Sequence, residues 1–332
     1  MEITTRIQSY INNLKLLKPG ETVLVAVSGG ADSIALLHIL NHLKHHLNVS
    51  LHAVHFNHQI RKEAFQDEKF VEGLAGKLNI PFSVGRRFSK KIITSKISED
   101  ESRKLRYAYF FKLAKKLNVS TIALAHTQDD LAETVLMRII RGTGLLGLQG
   151  ISPARSMASI QLVHPLLEVT KKDLLKYLQS QRLFFREDQS NASCEFFRNK
   201  IRLKLLPLLS KEYNPSIVGE LAQLSKIVSC DYDFLLGFAQ SSFAKVAKVN
   251  SRKSEICIAK RRFQTYHLSI QRLILRISFQ MLRGNLNLLE SKHIIGLENA
   301  INNFIKPRVL HLPDGMTVHL TDKNIIFKVS QS

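Results

Sequence analysis

Residues 23–37 of the chain read Val-Leu-Val-Ala-Val-Ser-Gly-Gly-Ala-Asp-Ser-Ile-Ala-Leu-Leu. The apolar beginning is typical of a strand in a parallel sheet that helices cover on both faces, and the apolar end has the spacing of a helix. The two adjacent glycines let the backbone turn with no Cβ in the way, so consecutive amides can face an anion. The stretch therefore predicts a phosphate-binding turn between a strand and a helix. The alternative is a tight turn in which Asp32 or Ser33 only caps the helix.

This turn differs from the two commonest phosphate-binding fingerprints. It lacks the Gly-Lys-Ser/Thr ending of a Walker A loop and the spacing of a dinucleotide-binding loop. Gly142–Gly147 does match Gly-x-Gly-x-x-Gly, but it follows a predicted helix rather than a strand. We therefore expect that segment to be a flexible, closely approached loop beside the site.

The rest of the first half alternates apolar runs with helical patterns. After the strand at 22–27, further strands are predicted at 50–56, 81–87, 121–125 and 161–166, and helices at 33–47, 64–78, 101–117, 129–140 and 171–181. This rhythm predicts an α/β fold with a doubly wound parallel sheet of about five strands.

The second half changes character after Tyr213-Asn214-Pro215, a turn-forming sequence at which we place a domain boundary. Leu and Ile at helical spacing predict helices at 217–238, 266–282 and 288–304, and two β-like runs follow at 309–320 and 324–329, around Pro313-Asp314-Gly315. We expect a catalytic domain of residues 1–213 that contains the phosphate turn. The second domain, residues 214–332, is expected to be mainly helical and to end in a small β-hairpin-like segment.

A second group of polar residues follows the fourth predicted strand. His126, Asp130 and Glu133 fall on one face if a helix begins at once. Two carboxylates and an imidazole on one face can bind Mg²⁺, hold an ammonium group or exchange protons, whereas the His-Glu-x-x-His order of a zinc site is absent. The alternative is helix capping by Asp129 and Glu133. Open α/β sheets bind ligands at the carboxyl ends of their strands, which favours a functional site beside the phosphate turn.

The composition is that of a globular protein with a strong excess of basic over acidic residues. The chain has 332 residues, with 48 Lys and Arg against 27 Asp and Glu, and a formal net charge of +21. The excess is spread over both halves, which favours a polyanionic partner such as nucleic acid. A generally Lys-rich surface is the alternative.

The apolar runs are much shorter than a membrane span, which needs about 20 residues. The N-terminus lacks the pattern of a secretory signal. Only three cysteines occur, and no two form a Cys-x-x-Cys pair, so a disulfide framework or a cysteine-built metal cluster is not expected. These features favour a protein of the cytoplasm.

Two further patterns have an ordinary structural interpretation. The histidines between His38 and His58 have no fixed ligand spacing, so we interpret them as surface and strand-flanking residues rather than as a zinc site. Aromatic and basic residues interleave at 184–186 and 196–198. These rings can stack on unpaired bases, but we favour core packing for most of them.

The turn Ser28-Gly29-Gly30-Ala31-Asp32-Ser33 resembles the motif of the PP-loop ATP pyrophosphatase family. Members of that family cleave ATP between the α and β phosphates and activate a substrate as an adenylate. The resemblance implies that these six residues bind ATP. It also implies that Asp32 lies next to Mg²⁺, because an acidic side chain beside phosphates requires a cation.

Longer motifs narrow the resemblance to the tRNA(Ile)-lysidine synthetase family. They lie within residues 20–210, with a looser match near the C-terminus: 55–61, 102–107, 125–151, 187–191, 198–202 and 312–315. Gln59 and Ser102 depart from the usual residues, which affects loop and packing details. The family joins free L-lysine to the wobble cytidine of the isoleucine tRNA with anticodon CAU. At 332 residues the chain resembles the shorter members.

The resemblance implies a two-step reaction, in which ATP adenylates O2 of the cytidine and the amine of lysine then displaces AMP. It implies that Arg106 and Arg198 contact phosphate or the flipped nucleotide, and that His126, Asp130 and Glu133 position lysine, with metal binding as the alternative for each carboxylate. A solvated helix face is the other interpretation of Arg106.

Two other functions stay open at this stage. One is a different PP-loop tRNA-modifying enzyme such as a thiolase, against which the lack of Cys-x-x-Cys argues. The other is a basic RNA-binding protein with a decayed nucleotide site, against which the intact Asp32 and Ser33 argue. We expect the CAU isoleucine tRNA, L-lysine, ATP and Mg²⁺ as partners and no membrane, and we leave a homodimer open.

Overall fold

The computed structural model describes residues 2–59, 64–87, 99–157, 159–186, 197–251, 254–286 and 288–329. The chain forms two compact units, Met1–Ile227 and Val228–Ser332. The sequence places the boundary after Tyr213, and a helix does begin shortly after that turn. This helix, Ile217–Val246, continues past the division between the units, and the boundary after Tyr213 stays a prediction.

The first unit is built on a six-stranded sheet. Its strands are β1 (Thr22–Ala26), β2 (Ser50–Asn57), β3 (Phe82–Arg86), β4 (Thr121–Ala123), β5 (Ala154–Met157) and β6 (Ile160–Val163). Their order is β3-β2-β1-β4-β6-β5, and all pairs are parallel except the antiparallel pair of β5 and β6. The predicted doubly wound parallel sheet is confirmed, and an antiparallel edge strand extends it.

The helices predicted for this unit all form, close to the expected bounds. The unit's described helices are α1 (Ile3–Asn13), α2 (Ala31–Leu43), α3 (Ala64–Lys77), α4 (Glu99–Lys116), α5 (Gln128–Ile140), α6 (Leu145–Leu148), α7 (Lys171–Ser180), α8 (Phe197–Lys200) and α9 (Leu206–Glu212). A π-helical turn, Ile201–Leu205, joins α8 to α9.

Burial on both faces explains why β1 is apolar at every position after the exposed Thr22. Val23 and Val25 of β1 pack into one hydrophobic core together with α2. Leu24 points to the opposite face and packs into a second core with Phe110 of α4. β5 is different, because its Ala-Arg-Ser-Met sequence is largely exposed and gives no apolar signal.

The second unit combines helices with a five-stranded antiparallel sheet. Its helices are the end of α10 (Ile217–Val246), α11 (Lys260–Phe263), α12 (Leu268–Arg283) and α13 (Ser291–Asn302). Its strands, in the order β7-β8-β11-β10-β9, are β7 (Ala247–Val249), β8 (Glu255–Ala259), β9 (Arg308–Leu312), β10 (Met316–Leu320) and β11 (Asn324–Val329). The predicted helices and β-like runs form. The runs belong to a larger sheet than the expected hairpin-like segment, because β8 pairs with β11 and β7 pairs with β8, and neither of these strands was predicted.

None of the helices in the described ranges has both the length and the apolar character that crossing a membrane needs.

Candidate active site

The phosphate turn lies between β1 and α2, at the carboxyl edge of the sheet. Gly29 adopts φ +96°, a left-handed conformation that side chains disfavour. The Ser33 hydroxyl, in the first turn of α2, accepts hydrogen bonds from the amides of Ser28 (3.1 Å) and Gly29 (3.2 Å) and donates to the Gly30 carbonyl (2.9 Å). Consecutive amides thus converge on one polar atom, which is the arrangement that an anion-binding turn requires.

Asp32 follows Ala31 in the first turn of α2. The charged groups around it offset only part of the cost of burying its carboxylate. Burial raises the pKa of its carboxyl to about 6; Lys171 acts to lower this pKa, and the charge of Asp130 acts to raise it. In the described ranges, no group of three His, Cys, Asp or Glu side chains is arranged to hold a metal. Mg²⁺ in nucleotide enzymes is usually held by one or two carboxylates together with phosphates, so Asp32 fits a Mg²⁺ ion that arrives with a nucleotide.

Helix α5 begins with a capping box between Thr127 and Asp130. The Thr127 hydroxyl accepts from the Asp130 amide at 3.4 Å, and Oδ2 of Asp130 accepts from the Thr127 amide at 2.9 Å. Capping is therefore one role of Asp130, although the expected capping residues were Asp129 and Glu133. The cap uses only Oδ2, so Oδ1 of Asp130 is available to other groups.

Asp130 and Glu133 form a buried acid pair, 7% and 1% exposed, around which three cationic side chains gather. Arg202 donates to both carboxylate oxygens of Glu133 (2.6 and 2.9 Å) and to Oδ1 of Asp130 (3.0 Å). Arg198 donates to Oε2 of Glu133 (2.9 Å) and to Oδ1 of Asp130 (3.2 Å). The Lys171 ammonium lies 3.4 Å from Oδ1 of Asp130 and 3.9 Å from Oε1 of Glu133. We call these five residues the carboxylate–cation cluster.

The charged groups of the cluster stabilise one another in their ionised forms. Burial acts to raise the pKa of Asp130, but Lys171 and Arg198 outweigh it and hold that pKa below its ordinary range. Burial acts to lower the pKa of Arg202, but its contacts with Glu133 and Asp130 raise it. Asp130 and Arg202 are therefore both charged at neutral pH.

Sequence reasoning identified Arg198, Asp130 and Glu133 but missed Arg202 and Lys171. Arg202 follows Arg198 by four residues, and this helical spacing is a signal that both reach the same partners. Lys171 begins α7, where its backbone amide donates to Oδ2 of Asp129 at 2.8 Å. No local pattern reveals such a contact, because it joins two helices that are distant in the sequence.

His126 lies just before α5 and faces His164, with 4.8 Å between the ring centroids. Burial, reinforced by His164, lowers the pKa of His126 to about 3, and burial lowers the pKa of His164 to about 4. Nδ1 of His126 is buried and has no hydrogen-bond partner within the described part of the chain. His126 is therefore a neutral imidazole with one ring nitrogen available to a ligand.

Arg106 lies half-buried on α4, on the β2 side of the phosphate turn. Its guanidinium stands 5.9 Å from the centroid of the Tyr107 ring. Burial lowers the pKa of His58, which follows β2, to about 4, and the charge of Arg106 adds to this effect. The fold thus gathers Asp32, His126 and the cluster, and places Arg106 at a neighbouring strand end.

The remaining predicted features have these places in the fold. The segment Gly142–Gly147, expected to be a loop, is helical in its second half, because residues 145–147 belong to α6. Its close approach is seen at Gly147, whose carbonyl accepts from Arg138 at 2.6 Å and which leaves no room for a Cβ beside Thr143. Phe184 is 83% exposed, whereas Phe185 and Phe197 pack against the core of the first unit. The predictions at residues 60–61, 187–191, 194 and 196 lie outside the described residues.

Comparisons with known proteins agree with this geometry. The PP-loop domain family matches residues 1–209. The chain is 36% identical to a tRNA(Ile)-lysidine synthase of Clostridium acetobutylicum and 33% identical to one of Clostridioides difficile, in each case over 98% of this chain and 70% of the relative.

Solved structures support the fold. The U34-tRNA thiolase NcsA of Methanococcus maripaludis, with its 4Fe-4S cluster, superposes with a TM-score of 0.56 at 19% identity, over 68% of this chain and 78% of that one. At this identity the likeness concerns the fold alone. The phosphate turn agrees with the family match, and the sequence relatives match this chain over nearly its whole length. The chain therefore belongs to the tRNA(Ile)-lysidine synthase family of PP-loop enzymes, which are ATP-binding ligases that modify tRNA.

Proposed function

We propose that this chain ligates L-lysine to C2 of the wobble cytidine of the isoleucine tRNA with anticodon CAU. The observation that carries the proposal is the proximity of the phosphate turn to the carboxylate–cation cluster. Asp32 of the turn interacts electrostatically with Lys171, Asp130 and Arg202. One site can therefore hold the phosphates of ATP on one side and a positively charged co-substrate on the other.

The chemistry needs two steps, because C2 of cytidine carries an amide-like oxygen that is a poor leaving group. In the first step O2 of the cytidine attacks the α-phosphorus of ATP, and the bond to the bridging oxygen breaks to release pyrophosphate. In the second step the ε-amine of lysine attacks C2, the C2–O2 bond breaks with AMP as the leaving group, and the amine loses its proton. The product cytidine carries lysine at C2 as lysidine, which pairs with A and lets the tRNA decode AUA.

The phosphate turn is suited to the first step. The amides of Ser28 and Gly29 already converge on the Ser33 hydroxyl, and a phosphate oxygen at the same place accepts the same donors. Asp32 fits a Mg²⁺ ion, which supplies positive charge to the departing pyrophosphate. Arg106 and Arg198 supply charge-assisted contacts to the phosphates or to the flipped cytidine.

The carboxylate–cation cluster is suited to the second step. A carboxylate with a lowered pKa and an imidazole with a pKa of about 3 are weak bases. Asp130 and His126 are therefore suited to hold and orient lysine rather than to remove its proton, and Glu133 lies beside Asp130 in the acid pair as a further carboxylate that can hold an ammonium group.

The direct experiment incubates the purified chain with ATP, labelled L-lysine and transcripts of several tRNAs. We expect label only in the isoleucine tRNA with anticodon CAU, together with release of AMP and pyrophosphate. An isoleucine transcript with anticodon GAU is the matched control, since it lacks the wobble cytidine. Incorporation of sulfur, or tRNA binding without any lysine transfer, would contradict the proposal.

A further inference from the structure

The ammonium group of Lys171 lies against both carboxylates of the acid pair. We propose that Lys171 is a placeholder, whose side chain neutralises Asp130 and Glu133 until an ammonium group of the substrate lysine displaces it. The inference rests on the proposed function and names a positioning residue for it. The placeholder and the substrate carry the same functional group, so the site that accepts one is built to accept the other.

Lys171 is the cation of the cluster that leaves most easily. Arg202 makes three contacts of 2.6–3.0 Å with the acid pair, and Arg198 makes two contacts of 2.9 and 3.2 Å. The two Lys171 contacts are longer, at 3.4 and 3.9 Å, and are those of a single flexible ammonium rather than a planar fork.

The charge of the cluster requires one cation to leave before another arrives. Two carboxylates already face three cationic side chains, and Glu133 is only 1% exposed. Among the described residues, a fourth positive group at the pair would have only Asp32 and Asp129 to compensate its charge; Asp32 belongs to the phosphate turn, and Oδ2 of Asp129 already accepts from the Lys171 amide. Exchange of one ammonium for another keeps the charge constant, whereas addition does not.

The Lys171 side chain can also move away from the acid pair towards the phosphate turn. Its backbone is fixed, because the Lys171 amide donates to Asp129 at 2.8 Å, while its side chain is 27% exposed. Its charge acts on Asp32 at the start of α2 as well as on the acid pair. Phosphates bound at the turn attract it away from the acid pair, and we therefore expect ATP to prepare the site for lysine.

The test is equilibrium binding of L-lysine to the full chain, with and without an ATP analogue whose α–β bridge cannot be cleaved. In the wild-type chain the analogue is expected to tighten lysine binding roughly fivefold or more. Lys171→Met is expected to bind lysine roughly fivefold more tightly than wild type without the analogue, and to gain little when it is added. Lys172→Met, next in the chain and exposed, is the matched control and is expected to behave as wild type.

Equal or weaker lysine binding by Lys171→Met, or the same gain in Lys172→Met, would overturn the inference. Lys171→Arg provides a second test if the Met variant does not fold. A guanidinium forks onto both carboxylates and is harder to displace, so lysine binding is expected to weaken; unchanged or tighter binding by this variant also overturns the inference. Lysidine formation by the wild-type chain is read separately, so a failure of the placeholder is distinguishable from a failure of the proposed function.

Discussion

At the scale of single residues, the buried carboxylate of Asp32 lowers the stability of the fold when it is ionised. Its folded-state pKa is raised by burial to about 6, from an ordinary value of 3.8. The folded protein therefore binds a proton more tightly than the unfolded chain does. The ionised group destabilises the fold above about pH 6, and this cost disappears as the pH falls towards 4.

We expect Asp32→Asn to raise the free energy of unfolding at pH 7.5 by about 2 kcal/mol and to leave it nearly unchanged at pH 4. The same variant is expected to lose ATP-dependent modification. Denaturant unfolding at the two pH values measures the effect, with exposed Asp231→Asn as the control. A loss of stability at pH 7.5 would contradict the assignment.

Arg202 illustrates the opposite case, a cation that the fold needs. Without it, Glu133 loses a two-pronged contact and keeps a buried charge. We expect Arg202→Met to lower the free energy of unfolding by about 3 kcal/mol. Exposed Lys204→Met, on the same π-helical turn, is expected to change it by less than about 0.5 kcal/mol. Equal stabilities of the two variants in chemical denaturation would contradict the account.

At the scale of elements, the contact of β3 with α4 depends on the absence of a side chain. A Cβ on Gly85 would lie 2.5 Å from the Tyr109 ring. We expect Gly85→Ala to destabilise the first unit by about 1–3 kcal/mol and to lower activity, because the displaced helix carries Arg106.

Gly73→Ala is the control, since nothing lies within 4 Å of a Cβ there and the position is inside α3. That substitution is expected to stabilise the chain by about 0.5–1 kcal/mol. Thermal unfolding of both variants compares the two cases, and a stable, fully active Gly85→Ala variant would show that the ring is not confined.

The buried elements of the first unit could be predicted from the sequence because burial leaves a periodic apolar signal. β1 and α2 are apolar at their buried positions, apart from Ser33 of the phosphate turn. β5 and β7 were not predicted because they are short and largely exposed, so pairing with their neighbours defines them. β8 was missed although it carries the alternating signal of a strand, with Ile256 and Ile258 buried.

The site could be predicted only in part, because some of its contacts depend on the packing of distant elements rather than on local sequence. The phosphate turn and the capped start of α5 have local signatures, so Ser33, Asp32 and Asp130 could be named. The approach of Lys171 to Asp130 depends on how α7 packs, and no spacing within the sequence contains that information.

At the scale of the whole molecule, we expect the charge of +21 to attract the phosphates of the whole tRNA rather than the anticodon alone. Phosphate contacts release counterions, so binding is expected to weaken roughly a thousandfold between about 50 and 200 mM salt. Filter binding across salt concentrations, with the CAU and GAU isoleucine tRNAs in parallel, checks this. Similar slopes are expected for both, because the phosphate contacts that release counterions do not depend on the anticodon; an affinity indifferent to salt would contradict this.

The central claim is that the phosphate turn uses ATP to adenylate the wobble cytidine before lysine attacks. The most direct measurement incubates the chain with the CAU isoleucine tRNA and ATP labelled on the α-phosphate, first without lysine and then with it. The account predicts that label moves to the tRNA with release of pyrophosphate, and that added lysine returns it to solution as AMP while lysidine forms. Label that never reaches the tRNA, or ATP cleaved to ADP and phosphate, would contradict the account.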